Sequence, residues 1–234
     1  RLHSQQLEGR VFGRAPSCAR KFGVVMVRAV LFDMDGVLVD TEWFYNRRRC
    51  AYLEEHGFVF DEIPDLSGSN ETAIWEFFVP DDPVRREELR LGYRDYQKAH
   101  PVPYGELLNQ DTKPVMEELH GRGVLQAIAS SSYRSLINEL VEIADVANVL
   151  DYTVSGHECS AFKPDPEIYL RAMGQLGVEP GECLVIEDSP LGIEAGKRSG
   201  ARVLALKPHE GVHLDQSGAD MVIDSLWDIL DELG

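Results

Sequence analysis

Val30-Leu31-Phe32-Asp33-Met34-Asp35-Gly36-Val37-Leu38-Val39-Asp40-Thr41-Glu42 decides how the rest of this chain is read. The apolar, β-branched run from Val27 to Phe32 ends abruptly in two acids separated by one residue. In extended backbone, side chains at i and i+2 leave the same face, so Asp33 and Asp35 aim at one point. Gly36 allows the positive φ that lets a strand peel away from a sheet. Open α/β sheets place their ligands at the carboxyl ends of buried strands. Two carboxylates there suit a divalent cation with oxygen ligands, or a carboxylate nucleophile beside a proton-shuttling acid. Taken alone, the pair fits ordinary loop aspartates equally well.

Further polar punctuation follows in order. Val124 to Ala129 runs into Ser130-Ser131-Ser132, Leu150 to Val154 into Ser155-Gly156-His157-Glu158, and Cys183 to Ile186 into Glu187-Asp188-Ser189-Pro190. Between the last two lies Ala161-Phe162-Lys163-Pro164-Asp165-Pro166, whose prolines hold Lys163 on a loop rather than in a helix.

This ordered set resembles the haloacid dehalogenase superfamily, specifically its phosphatase and β-phosphoglucomutase-like branch with a helical cap. Asp33 to Glu42 matches the first motif, Ser130 the second, Lys163 the third and Glu187-Asp188 the fourth. Each motif is weak by itself; four in order, each in its expected context, are specific. The resemblance covers about residues 27 to 230 and is weakest in the cap. It implies an α/β fold, a doubly wound and mostly parallel Rossmann-like sheet core with an inserted α-helical cap domain. It also implies Mg²⁺ as cofactor, with Asp33, the main-chain carbonyl of Asp35, and Asp188 as ligands. Glu187 would be a further ligand or an acid standing behind the ligands. Asp33 would be the nucleophile and Asp35 the general acid and base. Ser130, with the backbone amides after it and Ser131 beside it, would hold phosphoryl oxygens, and Lys163 would neutralise charge in transfer.

Composition agrees with one enzyme of this size. The chain has 234 residues and is 44% hydrophobic, enough for an α/β domain with a small insertion. A formal net charge of −17 repels nucleic acid and anionic membranes, so neither is an expected partner. The expected partner is a small phosphorylated metabolite, since local cations set the field in a site. No apolar run approaches the roughly 20 residues of a membrane span. Cys18, Cys50, Cys159 and Cys183 are scattered and lack Cys-x-x-Cys spacing, which suits structural thiols in a reducing cytoplasm. A cytoplasmic monomer is expected.

Residues 1–25 differ from the rest: Arg- and Ser-rich, nearly acid-free and without clear periodicity. A transit peptide fits that composition. A translated upstream or expression-derived extension is preferred, because Met26-Val27-Arg28-Ala29 sits where such domains begin; a non-catalytic role is expected either way. The core is expected in 26–41 and 103–234, with the cap in 42–102. Apolar spacing predicts cap helices over Trp43 to His56, Glu71 to Phe78 and Val84 to His100. In the core it predicts helices over Arg134 to Val146 and Pro166 to Leu176 and one opening at Pro190. Asp111 or Thr112 is a candidate cap for a helix with Pro114 near its first turn. Strands Arg202 to Leu206 and Met221 to Ile223, then a helix Leu226 to Leu233, close the domain.

Asp40 and Thr41 lie at the hinge into the cap, and Asp40 is a candidate cap for the Trp43 helix. Tyr45, Ser69, Asn70 and Glu71 are candidate substrate-reading residues; Trp75, Phe77 and Phe78 are assigned to the cap core. The expected function is Mg²⁺-dependent hydrolysis of a small phosphomonoester, a sugar phosphate or related ester, through an aspartyl-phosphate. A dehalogenase does not need Asp35 to protonate an alkoxide. A β-phosphoglucomutase is the main alternative. Mutases resembling this chain carry a cap histidine four residues after the threonine, where Tyr45 stands, and a cap arginine three residues after a glycine. Counting from Gly68, that second position is Glu71, whose charge repels a second phosphate. A non-catalytic phospho-ligand sensor is less favoured, because Asp33, Asp35, Lys163 and Asp188 are all present.

Overall fold

The computed structural model describes residues 26–67, 69 and 71–234. The expectations for residues 1–25, Cys18 and Asn70 lie outside these.

The expected doubly wound α/β core is built on a six-stranded, all-parallel sheet in the order β3-β2-β1-β4-β5-β6. Its strands are β1 (Ala29–Phe32), β2 (Leu125–Ser130), β3 (Tyr152–Ser155), β4 (Cys183–Glu187), β5 (Arg202–Leu206) and β6 (Met221–Ile223). The chain steps outward from β1 through β2 to β3, then returns to lay β4 on the other flank of β1. The order therefore reverses between β1 and β4, and a doubly wound sheet opens a crevice at that switch point. In-register pairing of Phe32 with Ile186 brings Asp33 and Glu187, the next residues of each strand, to its mouth.

Both sheet faces are buried, so the strands read as nearly continuous apolar runs. Val30 and Phe32 point to one face, against Val115, Met116, Leu119, Ile137 and Leu140. These come from α5 (Thr112–Gly121) and α6 (Arg134–Ile143). Ala29 and Leu31 point to the other, against Ile168, Tyr169, Met173 and Ile193. These come from α7 (Glu167–Leu176) and α8 (Pro190–Ser199).

Between β1 and α5 lie α1 (Glu42–Glu54), α2 (Glu71–Phe78), α3 (Pro83–Ala99) and the short α4 (Tyr104–Leu107). The first three close around their own apolar cluster of Tyr52, Leu53, Ile74, Trp75, Phe78, Leu89 and Tyr93. Tyr52 meets the rings of Trp75, Tyr93 and Tyr96.

Some local expectations are corrected. Phe77 is 58% exposed, because helical spacing turns Ile74, Trp75 and Phe78 inward and leaves Phe77 on the opposite side. Asp111 occupies the N-cap position of α5, but neither it nor Thr112 caps with its side chain. Its carboxylate accepts hydrogen bonds from Ser225 Oγ and Trp227 Nε1, and Thr112 Oγ1 donates to the carbonyl of Leu38. Thr41, not Asp40, is the N-cap residue of α1, again without a side-chain cap. The closing segment Leu226–Glu232 is a 3-10 helix. Cys50 and Cys183 are buried free thiols, Cys159 is a half-buried one, and burial raises the pKa of all three. Among the described residues, no helix is long and apolar enough to cross a membrane.

Candidate active site

Asp33 follows β1 and is locked there by its amide, which donates to the carbonyl of Ile186 at 2.9 Å. Glu187 and Asp188 end β4 beside it, both buried. One carboxylate oxygen from each of Asp33, Glu187 and Asp188 lies within 4.8 Å of the others. Lys163 reaches in from the loop before α7, its Nζ donating to Asp33 Oδ1 and Glu187 Oε1, each at 2.6 Å. Both glycines here make room for carboxylates. A Cβ on Gly36, whose φ is +79°, would stand 1.9 Å from Asp188 Oδ2, and one on Gly192 would stand 1.9 Å from Glu187 Oε1.

Glu187 is fully engaged by the protein. Its Oε1 also accepts from Tyr169 Oη at 2.5 Å, and its Oε2 accepts from Ser189 Oγ and the Asp188 amide, both at 3.2 Å. These donors fix the Glu187 carboxylate in place beside Lys163 and Asp33. The Asp188 carboxylate, by contrast, accepts no hydrogen bond from the described residues. Three buried carboxylates therefore share one ammonium. Burial pushes the Asp33 carboxyl up to about 8, with Glu187 and Asp35 adding to the rise and Lys163 opposing it. Burial, then Glu187 and Asp33, holds Asp188 well above the usual range. Burial alone would lower Lys163, yet Asp33 and Glu187 override it and hold the lysine firmly protonated. A hard divalent cation fits this donor set, since all the free atoms are oxygens and the uncompensated charge is negative.

Asp35 faces a different environment. Its Oδ1 accepts from Thr41 Oγ1 and Tyr45 Oη, both at 2.7 Å, and its Oδ2 accepts from Ser132 Oγ at 2.8 Å. Three hydroxyls thus hold one carboxylate, one each from the turn before α1, from α1 itself and from the loop after β2. Ser130 is buried, and its Oγ accepts from the Ser132 amide at 3.0 Å.

The fold thus brings Asp33, Asp35, Lys163, Glu187, Asp188, Ser130 and Tyr45 into one crevice. Ser131 and Ser69 are exposed, and exposed Glu71 of α2 forms an ion pair with Arg90 of α3 at 3.5 Å. Sequence reasoning missed Ser132 as the partner of Asp35, although it stood in the quoted serine run. It also missed Tyr169, Ser189 and Gly192 around Glu187, for which the helical pattern carried no signal.

A family model described as haloacid dehalogenase-like hydrolase matches residues 27–200. The chain belongs to the haloacid dehalogenase-like hydrolases. A phosphorylated carbohydrates phosphatase of Thermotoga maritima is 30% identical over 74% of this chain and 82% of its own length. A phosphoglycolate phosphatase of Aquifex aeolicus is 29% identical over 75% of this chain and 83% of its own. Among solved structures, a HAD family hydrolase from Deinococcus radiodurans, with bound phosphate and sodium, superposes with a TM-score of 0.72 at 25% identity. That match covers 90% of this chain and 98% of the other. Within the family the chain is an enzyme of the HAD-like phosphatase type.

Proposed function

We propose that this HAD-like phosphatase hydrolyses a small phosphomonoester, such as a sugar phosphate, in a Mg²⁺-dependent reaction through an aspartyl-phosphate on Asp33. The observation that carries this reading is the pairing of two carboxylates two residues apart in opposite environments. Asp33 lies among acids and one lysine at 2.6 Å, whereas Asp35 is held by three hydroxyls.

In the first half-reaction the Asp33 carboxylate attacks phosphorus, the bond to the leaving oxygen breaks, and Asp35 gives that oxygen a proton. In the second, Asp35 takes a proton from water as the water oxygen attacks the same phosphorus. Inorganic phosphate leaves and Asp33 is restored. Lys163, fixed by Glu187, keeps positive charge beside the attacking oxygen, and Ser130 with the following amides receives the phosphoryl oxygens. Asp33, Asp188 and the main-chain carbonyl of Asp35 would hold Mg²⁺. Its charge would keep Asp33 ionised and offset repulsion between nucleophile and phosphate. Residues 26–41 and 103–234 form the catalytic core in this reading. Residues 42–102 form a cap that shuts over Asp33, excludes water and reads the leaving group.

A panel of phosphomonoesters assayed with Mg²⁺ for inorganic phosphate tests the proposal. β-Glucose 1-phosphate primed with its 1,6-bisphosphate belongs in the panel. Phosphate release from several esters is expected, without glucose 6-phosphate. Efficient isomerisation would instead make the chain a mutase.

A further inference from the structure

The cap helix α1 carries a polar stripe beside the apolar residues, Cys50, Tyr52 and Leu53, that it buries. Glu42, Tyr45, Asn46 and Arg49 stand at i, i+3, i+4 and i+7, one face of a helix. A helix packed on a domain ordinarily buries an apolar stripe; a polar one is retained where the face lines a polar cleft. That cleft holds the catalytic acids: Tyr45 Oη bonds Asp35 at 2.7 Å. The charge of Glu42 acts on Asp188 at one end and on Arg49 at the other. Asn46 is buried, and its Nδ2 donates to Ser67 Oγ at 3.2 Å, tying the stripe to the loop that leads into α2.

Arg49 is the unusual member. Its Nη1 donates to Asn46 Oδ1 at 3.3 Å, and its guanidinium lies 5.8 Å from the centre of the Tyr93 ring. No carboxylate of a described residue lies within ion-pair distance of it, although most other arginines of the cap have such a partner or, like Arg48, a backbone acceptor. Five N–H donors in a rigid fork, half-buried and using one weak contact, suit planar recognition of a carboxylate or phosphate. Burial works against its charge and lowers its hold on the proton, so an incoming anion would gain from it.

Building on the phosphatase reading, we propose that Arg49 binds a second anionic group, a carboxylate or second phosphate, on the leaving-group side of the substrate. The position three residues after Gly68, Glu71, is an acid already paired to Arg90, so α1 supplies the cation instead. The substrate class is then a small phosphomonoester with a second negative charge, not a neutral sugar phosphate.

The test compares three esters on matched two- and four-carbon skeletons: hydroxyalkyl phosphates, the corresponding carboxylates, and the bisphosphates. Wild type should favour the carboxylate or the bisphosphate over the hydroxyl ester by about 10- to 100-fold in kcat/KM, the range for a charge-assisted contact. Whichever anion is favoured identifies the group read. R49Q should erase most of that margin, chiefly through KM, and R49K should restore part of it. Equal wild-type use of charged and neutral esters would overturn the inference while leaving the phosphatase reading intact. So would an R49Q loss of the same size on all three esters, with circular dichroism unchanged. Should R49Q misfold, wild type and R49K still decide, since a retained charge must retain a preference. Failure of every ester to release phosphate would remove both readings together.

Discussion

Asp35→Asn separates the proposed roles of the two aspartates most cleanly. The asparagine keeps the side chain's shape and leaves the main-chain carbonyl in place, but transfers no proton. Structurally, Oδ1 goes on accepting from Thr41 and Tyr45 at their 2.7 Å positions, and the new amide faces Ser132, whose hydroxyl turns to accept. Two charge-assisted bonds become neutral ones and a third reverses, a loss of about 1 kcal/mol each. Part of this is offset, because the Asp35 charge raises the Asp33 pKa and disappears in the variant. The expected destabilisation is about 1–3 kcal/mol, or about 2–12 °C in Tm at this chain length, so the variant folds. Turnover of alkyl phosphates should fall about 10²- to 10⁴-fold, which is about 3–5 kcal/mol of barrier. Aryl phosphates leave without a proton, so their first step should suffer less while water still lacks its base in the second. An aspartyl-phosphate should therefore accumulate. Acid quench followed by borohydride reduction and peptide mapping should place the label on Asp33. A label elsewhere, or parental activity on alkyl phosphates, would refute this division of labour.

Chelation should abolish turnover, and Mg²⁺ should restore it and raise Tm; full activity in a rigorously metal-free preparation would remove the role given to Asp33 and Asp188. In chelator, Asp33 with its pKa raised to about 8 binds its proton more tightly folded than unfolded. Its stabilisation is present below about pH 4 and is lost as pH rises towards 8. Thermal melts from pH 5 to 8 should fall in chelator and flatten with Mg²⁺. Gly192→Ala drives a Cβ to 1.9 Å from Glu187 Oε1, so about 1–3 kcal/mol of stability and most activity should go; a silent variant by melting and assay would contradict that packing. Tyr45→Phe removes one of three bonds to Asp35 and should lower kcat about 3- to 30-fold on alkyl phosphates, with a smaller effect on aryl ones.

The legible parts of the site were those whose chemistry follows the chain. Asp33 and Asp35 could be placed at a strand end because alternation and strand termination are local rules, and Lys163 on a loop because prolines constrain their neighbours; that Lys163 joins the acids was implied by the family resemblance. The helix Glu71–Phe78 matches its expected bounds to the residue because apolar spacing is local too. Phe77, expected in the core with Trp75 and Phe78, is 58% exposed because the helical angle turns it away from them. Asp111 shows a related limit. Cap chemistry was available to its side chain, but Ser225 and Trp227, more than a hundred residues away, took the carboxylate.

The sequence by itself determined the parallel α/β order, the strand ends that carry acids, and the all-helical insertion, because backbone periodicity and turn chemistry act over a few residues. Only the tertiary structure decided which donors meet which acids. Return of the chain to the far side of β1 sets β4 beside it, and so creates a buried pool of three carboxylates around one lysine. Packing of α7 on the sheet then delivers Tyr169 to Glu187, and the turn into α1 carries Tyr45 to Asp35 and leaves Arg49 without a carboxylate partner among the described residues. Such pairings depend on distances closed by the whole fold, where burial strengthens every charge–charge interaction, and no local pattern records them.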